Sequence, residues 1–383
     1  MTYLRDRFGR IREESVDGRI LARKYDELSR VVSRTTPSGA TAQWTYDAAG
    51  RRTDLTTSGR RLAFTRDPLG RETGRRIGNA LVLDLARDDL GRLVEQRVTS
   101  ASGRLLQRRG YAYRTDGYLL GTDDELAGAR SYELDPVGRV TAVSAEGWAE
   151  RHVYDAAGNQ TEADWPTARP GGADATGPRT YEGTRLTSAG RVRYEYDAMG
   201  RITLRQCTRL SRKPDTWRYT WDADDRLRAV TTPDGTVWCY TYDPTGRRST
   251  KRRMAADGVT VAEEVTFVWG GTTLCEQTTT GPQQSHAVTL TWDHDGLQPL
   301  AQSDLRRPRE RRTEPRRLTP ARVRRGFRNV RATTARPAAA PKPSRPGPGR
   351  PSGSKNNHQA RHHHVGKTVK PAESIKEHQA RRG

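Results

Sequence analysis

Two short runs in this 383-residue chain group side chains that could do chemistry. Asp293-His294-Asp295 sets an imidazole between two carboxylates, the residue types of an acid–base pair or a metal site. No further His or Cys stands at ligand spacing and Gly296 follows, so a surface turn is the expected reading. Asp222, Asp224 and Asp225 crowd three carboxylates that could attract calcium, yet the stretch lacks the length and ligand order of a calcium loop. Cys207, Cys239 and Cys275 are too few and too widely spaced for a disulfide framework or a paired zinc site, and read as free, packed thiols. No catalytic, cofactor-binding or metal residue is expected from these groups, and no cofactor.

A third group is repeated. Tyr46-Asp47-Ala48-Ala49-Gly50-Arg51, Tyr154-Asp155-Ala156-Ala157-Gly158-Asn159, Tyr196-Asp197-Ala198-Met199-Gly200-Arg201 and Tyr242-Asp243-Pro244-Thr245-Gly246-Arg247 share one pattern. Aromatic faces beside carboxylates can bind carbohydrate, which gives these residues one chemical reading. The other reading is structural, because Asp followed by two free positions and Gly is the composition of a type I turn: the carboxylate accepts local N–H groups and Gly takes positive φ. Every repeat needs its turn whether or not it binds anything, so Tyr46, Asp47, Gly50, Arg51 and their counterparts are expected to be turn and packing residues.

The elements that must position these residues follow from the period. The glycine slot falls at Gly9, Ser29, Gly50, Gly70, Gly91, Gly117, Gly138, Gly158, Gly200, Asp225 and Gly246, mostly 20 or 21 residues apart, with a degenerate copy near Tyr181-Glu182-Gly183-Thr184-Arg185. Ahead of the turns, aromatics recur every second residue, as in Trp44/Tyr46, Tyr111/Tyr113 and Trp238/Tyr240/Tyr242, which places them on one face of a strand. Second turns such as Thr36-Pro37-Ser38-Gly39 and Thr232-Pro233-Asp234-Gly235 close each unit. Each repeat therefore reads as one β-hairpin, stable only beside its neighbours. The expected fold is all-β: a long, curled antiparallel sheet over residues 1–302, with about twelve repeats to position 250 and further strands over 260–302.

Composition supports that division. Hydrophobic residues make up 33% of the chain, too few for a thick conventional core throughout. The formal charge of +22 is uneven, with 45 basic and 41 acidic residues before position 304 but 23 and 5 from Asp304 on. The segment 303–383 reads as a basic, disordered, low-complexity tail able to contact nucleic acid or anionic surfaces without specificity. Within it, Gly349-Arg350-Pro351 looks like an AT-hook core. His362-His363-His364, with His358, His378, Glu373 and Glu377, could bind metal or belong to a nuclease-type toxin; such tracts more often bind metals adventitiously. The first residues lack an apolar h-region and no apolar run reaches membrane-spanning length, so a cytoplasmic chain exported only by a dedicated machine, or after an upstream segment, is expected.

The repeated motif resembles the RHS or YD-repeat family, over about Tyr3 to Ala301. Phe267-Val268-Trp269-Gly270-Gly271 and Trp292-Asp293-His294-Asp295-Gly296-Leu297 are similar to segments following the last repeats of bacterial members, with Gly270 where the family usually has Asp. The resemblance implies a spiral β-sheet shell like that of polymorphic toxins and teneurins. In secreted or surface relatives it encloses a C-terminal effector and is followed by an Asp-Pro-x-Gly closing segment. No such segment follows Gln302, so a non-enzymatic shell fragment that stops unclosed is expected, its open edges inviting self-association. A carbohydrate-binding surface protein and a nucleic-acid-acting toxin in the tail are the alternatives.

Overall fold

A computed structural model describes residues 1–166, 173–282 and 286–305. The tail from position 306, with its histidines and Gly349-Arg350-Pro351, lies outside the described residues.

The described chain is almost wholly strand. The first repeats give β1 (Thr2–Arg5), β2 (Ile11–Val16), β3 (Arg19–Tyr25), β4 (Val31–Thr35), β5 (Thr41–Tyr46), β6 (Arg52–Thr57), β7 (Arg60–Arg66) and β8 (Glu72–Ile77). There follow β9 (Leu81–Arg87), β10 (Leu93–Ser100), β11 (Leu105–Tyr113), β12 (Leu119–Asp124), β13 (Gly128–Leu134), β14 (Val140–Ala145), β15 (Trp148–Tyr154) and β16 (Gln160–Asp164). After a 3₁₀ turn at Ala173–Ala175 come β17 (Gly177–Glu182), β18 (Arg185–Ala189), β19 (Val192–Tyr196), β20 (Ile202–Cys207), β21 (Asp215–Trp221) and β22 (Leu227–Thr231). The last six are β23 (Val237–Tyr242), β24 (Arg248–Met254), β25 (Val261–Gly270), β26 (Thr273–Thr280), β27 (Val288–Asp295) and β28 (Gln298–Leu305). Each strand pairs antiparallel with the next in one open 28-stranded sheet. Among the described residues β1 pairs with β2 alone and β28 with β27 alone.

Local turn chemistry sets this register. At Asp47, the Asp N–H donates to Arg51 O (2.9 Å), Gly50 N–H donates to Asp47 O (3.0 Å), and the Asp47 carboxylate accepts the Arg51 N–H (2.8 Å). Tyr46 then faces Arg52 while Thr45 faces Asp54, the one-residue shift of a bulge closed by a positive-φ residue. Where the slot is not glycine the backbone is unchanged: Ser29 and Asp225 take φ of 63° and 58°. The second turns at Thr36 and Thr232 close in the same way.

The sheet has two unlike faces. In β5, Ala42 and Trp44 are buried and Thr41, Gln43 and Thr45 are exposed; the repeat tyrosines share the face of Trp44. Curling brings the ribbon's two ends together, so that the aromatic face of β2–β7 packs on the opposite, threonine-rich face of β25–β28. Two apolar clusters fill the contact, one of Leu21, Val268 and Cys275, the other of Ala42, Trp44, Leu55 and Leu62 with Leu300 and Ala301. Leu21 and Leu55 are fully buried there.

Candidate functional site

Repetition of one turn along the same rim builds a ladder of polar contacts. Tyrosine hydroxyls donate to the backbone carbonyl two residues past the preceding glycine slot: Tyr25 to Ile11 (2.8 Å), Tyr46 to Val31 (2.6 Å), Tyr113 to Leu93 (2.7 Å), Tyr154 to Val140 (3.0 Å) and Tyr242 to Leu227 (2.9 Å). Where tryptophan replaces tyrosine its indole N–H makes the same bond, Trp221 to Ile202 (2.8 Å) and Trp269 to Arg248 (2.7 Å). Tyr196 donates to Leu186 (2.7 Å), and the degenerate copy retains its rung, Tyr181 to Gln160 (2.9 Å).

Arginine after the glycine slot does two jobs. Its Nε donates to the carboxylate of its own turn, Arg201 to Asp197 at 2.7 Å and Arg247 to Asp243 at 2.6 Å. Its Nη1 reaches the carbonyl opening the next turn, as in Arg10 to Asp26, Arg30 to Asp47, Arg139 to Asp155 and Arg201 to Asp222. The same guanidinium lies over the next repeat's tyrosine, Arg30 over Tyr46 at 4.7 Å and Arg139 over Tyr154 at 4.8 Å. Partial burial pushes the Asp243 carboxyl up, but the Thr245 hydroxyl, the Arg247 N–H and the Arg247 guanidinium outweigh it and leave it below its usual value. Arg51 holds Asp47 more loosely (3.9 Å), and Asn159 bonds Asp155 (3.0 Å) but is too short to go further.

A second set of polar groups lies where the ends overlap. Arg34 donates to Asp293 (2.6 Å), to the Trp292 carbonyl and to the Cys275 sulfur. Arg247 and Arg23 share Glu14 (2.6 and 3.0 Å), Ser38 bonds Glu276, and Arg52 reaches the His294 carbonyl (2.6 Å) and Asp295. Gly270 is part of the fit: a Cβ there would stand 2.8 Å from the Cys275 sulfur and 3.5 Å from Leu21, so the aspartate of the resembled pattern has no room.

Asp293-His294-Asp295 is therefore not the surface turn expected from its sequence. It ends β27, with Asp293 about 1% exposed. Burial, reinforced by Arg34, lowers the His294 pKa, and its Nδ1 is buried without a hydrogen-bond partner. Asp222, Asp224 and Asp225 serve three purposes: Asp222 holds its turn, Asp224 faces Arg226 and Asp225 pairs with Arg201. No group of three or more His, Cys, Asp or Glu among the described residues is placed to hold a metal ion. Cys207 and Cys275 are buried free thiols, and Cys239 is a half-buried one. Glu14, Arg34, Ser38 and Glu276 were invisible as a group in the sequence, since their partners lie more than two hundred residues away.

Comparison with known proteins agrees with this geometry. The RHS Repeat family model matches residues 25–60 and 216–260. The chain is 33% identical over 291 residues to the "Probable deoxyribonuclease RhsB" of Dickeya dadantii, covering 71% of this chain and 19% of that protein. It is 32% identical over 288 residues to the "Double-stranded DNA deaminase toxin A" of Burkholderia cenocepacia, with the same coverages. The chain carries RHS repeats. It spans about a fifth of the length of these curated relatives. The Tc holotoxin pore of Photorhabdus luminescens, a solved structure, aligns with a TM-score of 0.47 and 13% identity over 75% of this chain and 17% of that one. The RHS region is structural: its repeated Tyr, Asp, Gly and Arg hold one hairpin to the next. Among the described residues no helix is long and apolar enough to cross a membrane.

Proposed function

We propose that this chain is a non-enzymatic stretch of RHS shell, of the kind that walls in and delivers a C-terminal effector in a secreted bacterial contact-dependent toxin. The observation that carries this reading is the curl: the first strands of the ribbon lie face to face on the last, which makes a wall with an inside. The names of the curated relatives, a deoxyribonuclease and a DNA deaminase toxin, support a toxin setting. On this reading residues 1–305, to the end of β28 and three beyond the expected boundary at 302, are the wall, and export is by the route of the longer relatives. The open edges at β1, exposed along its whole length, and β28 are sites for pairing with another copy.

Limited proteolysis of the full chain with mass spectrometry tests the division. A resistant body close to residues 1–305, with the following segment cut away, is the expected result. Digestion of the repeats as fast as the tail overturns it. Carbohydrate binding is the weaker reading, because the hydroxyls and rings a sugar would use already bond backbone carbonyls and lie under guanidinium groups. Saturable binding on a glycan array would reverse that preference.

A further inference from the structure

The tips of the Asp turns carry side chains that the turns do not need. In the third position stand Phe8, Leu28, Leu69 and Leu90, each between 65% and 77% exposed, and Ala49 fills the same position between Leu28 and Leu69. Turn geometry does not call for an apolar group there, since Asp224 and Thr245 occupy that position in later turns closed by the same backbone bonds. Five consecutive turns, each two strands from the next, set these tips about 9.5 Å apart in a row about 38 Å long. Asp116, in the third position of the sixth turn, ends the row, and beyond it Val137 and Met199 are exposed singly. Scattered apolar residues are ordinary on a surface, but a row in register is not.

The charges around the row match a copy of itself run in the opposite direction. In the second position the five turns carry Arg7, Glu27, Ala48, Pro68 and Asp89, all exposed. A twofold axis through the middle turn sets the first turn against the fifth and the second against the fourth. Arg7, which lies over Phe8 at 4.7 Å, then meets Asp89. Neither has an ion-pair partner among the described residues, whereas Asp6 and Asp88 beside them are taken by Arg10 and Arg92. Glu27 meets the fourth turn, where the Arg51 guanidinium lies over Gly70, 2.9 Å from the place of a Cβ. Arg51 is 3.9 Å from its own Asp47 and partly exposed, so it is free to take a second carboxylate. The smallest tips, Ala48 and Ala49, fall on the axis, where the two backbones come closest. The axis runs along a radius of the curl, so one arc lies over the other and curvature does not part them.

We propose that this rim is a docking surface for a second copy of the chain, the two rims meeting antiparallel about a twofold axis at the Asp47 turn. Such a contact is isologous and closes at the dimer, unlike head-to-tail pairing of β1 with β28, which adds copies without limit. A row this narrow buries less than about 1,200 Å² in all, which places it among weak, concentration-dependent interfaces. It stands whether or not the wall encloses an effector.

Sedimentation velocity of the full chain from about 1 µM to about 300 µM, the range over which a weak contact fills, tests it. The expected result is a monomer–dimer equilibrium with no larger species. Leu28→Asp with Leu69→Asp, which repeats what Asp224 already does in its own turn, leaves the thermal melt of the monomer in place and abolishes the dimer. Arg7→Asp weakens association roughly tenfold, because two exposed ion pairs become like-charge contacts, and Arg7→Asp with Asp89→Arg restores it. A monomer at every concentration, as when the segment from 306 covers the rim, overturns the proposal. So does association indifferent to Leu28→Asp with Leu69→Asp, as in edge pairing, or a double charge reversal that recovers nothing.

Discussion

At the residue scale, backbone conformation decides which substitutions the turns accept. Gly39 and Gly138 both have positive φ, 87° and 84°, but a Cβ at Gly39 meets open space while one at Gly138 would fall within 2.2 Å of the Tyr118 ring. Gly39→Ala is expected to cost about 1 kcal/mol, the left-handed strain alone, and Gly138→Ala distinctly more; thermal melts of the two variants make the comparison. Ser58 holds φ of 49° in the two-residue turn before Gly59. Ser58→Asn gives that turn its favoured Asn-Gly pair and is expected to gain about 0.5 kcal/mol. Acid acts on the turn carboxylates. Because the Asp243 carboxyl titrates below its unfolded value of about 3.9, its contribution is fully present above that pH and lost as pH falls through the lower, folded value. Asp243→Asn is expected to flatten the acid limb of the stability curve below about pH 4, measured by denaturant titration at successive pH.

At the scale of the element, the rung is the unit. Removing one hydroxyl, as in Tyr46→Phe, leaves the Val31 carbonyl without its donor and is expected to cost about 1 kcal/mol in urea unfolding. Trp221 and Trp269 make the same bond through nitrogen, so Tyr46→Trp is expected to retain more stability than Tyr46→Phe. These elements were legible in the sequence because turn chemistry is local: Asp, Gly and the alternating aromatics lie within a few residues of the bonds they make. Even the irregular slots at Ser29 and Asp225 were placed by the frame. Asp293 was misread for the opposite reason. Its partner, Arg34, is 259 residues distant, and a carboxylate beside His and Gly looks like a turn to any reading confined to its neighbours.

At the scale of the molecule, closure depends on a few long-range pairs. Asp293→Ala leaves the Arg34 guanidinium buried without its carboxylate and is expected to destabilise by about 3–5 kcal/mol, whereas Arg34→Met with Asp293→Leu is expected to be nearly neutral. Chemical denaturation of the two variants separates a buried unpaired charge from mere loss of contact. The sequence carries no local signal for the overlap: Asp293 stands in the polar phase of the alternation Val288, Leu290, Trp292 and is buried only because the other end of the ribbon covers it.

Neighbour-only pairing also sets a timetable for synthesis. Each hairpin can form as soon as it leaves the ribosome, because its partner strand is already made. The overlap cannot, because Arg34 must wait for residues 259 positions later. At about 5–20 residues per second, that wait is about 13–50 s, during which the ribbon is largely built but Leu21, Trp44 and Leu55 face water. Assembly of this chain thus divides into a stage that keeps pace with translation and a stage that begins only when translation of the repeats is nearly over, and it is in the interval between them that the nascent chain most needs a chaperone.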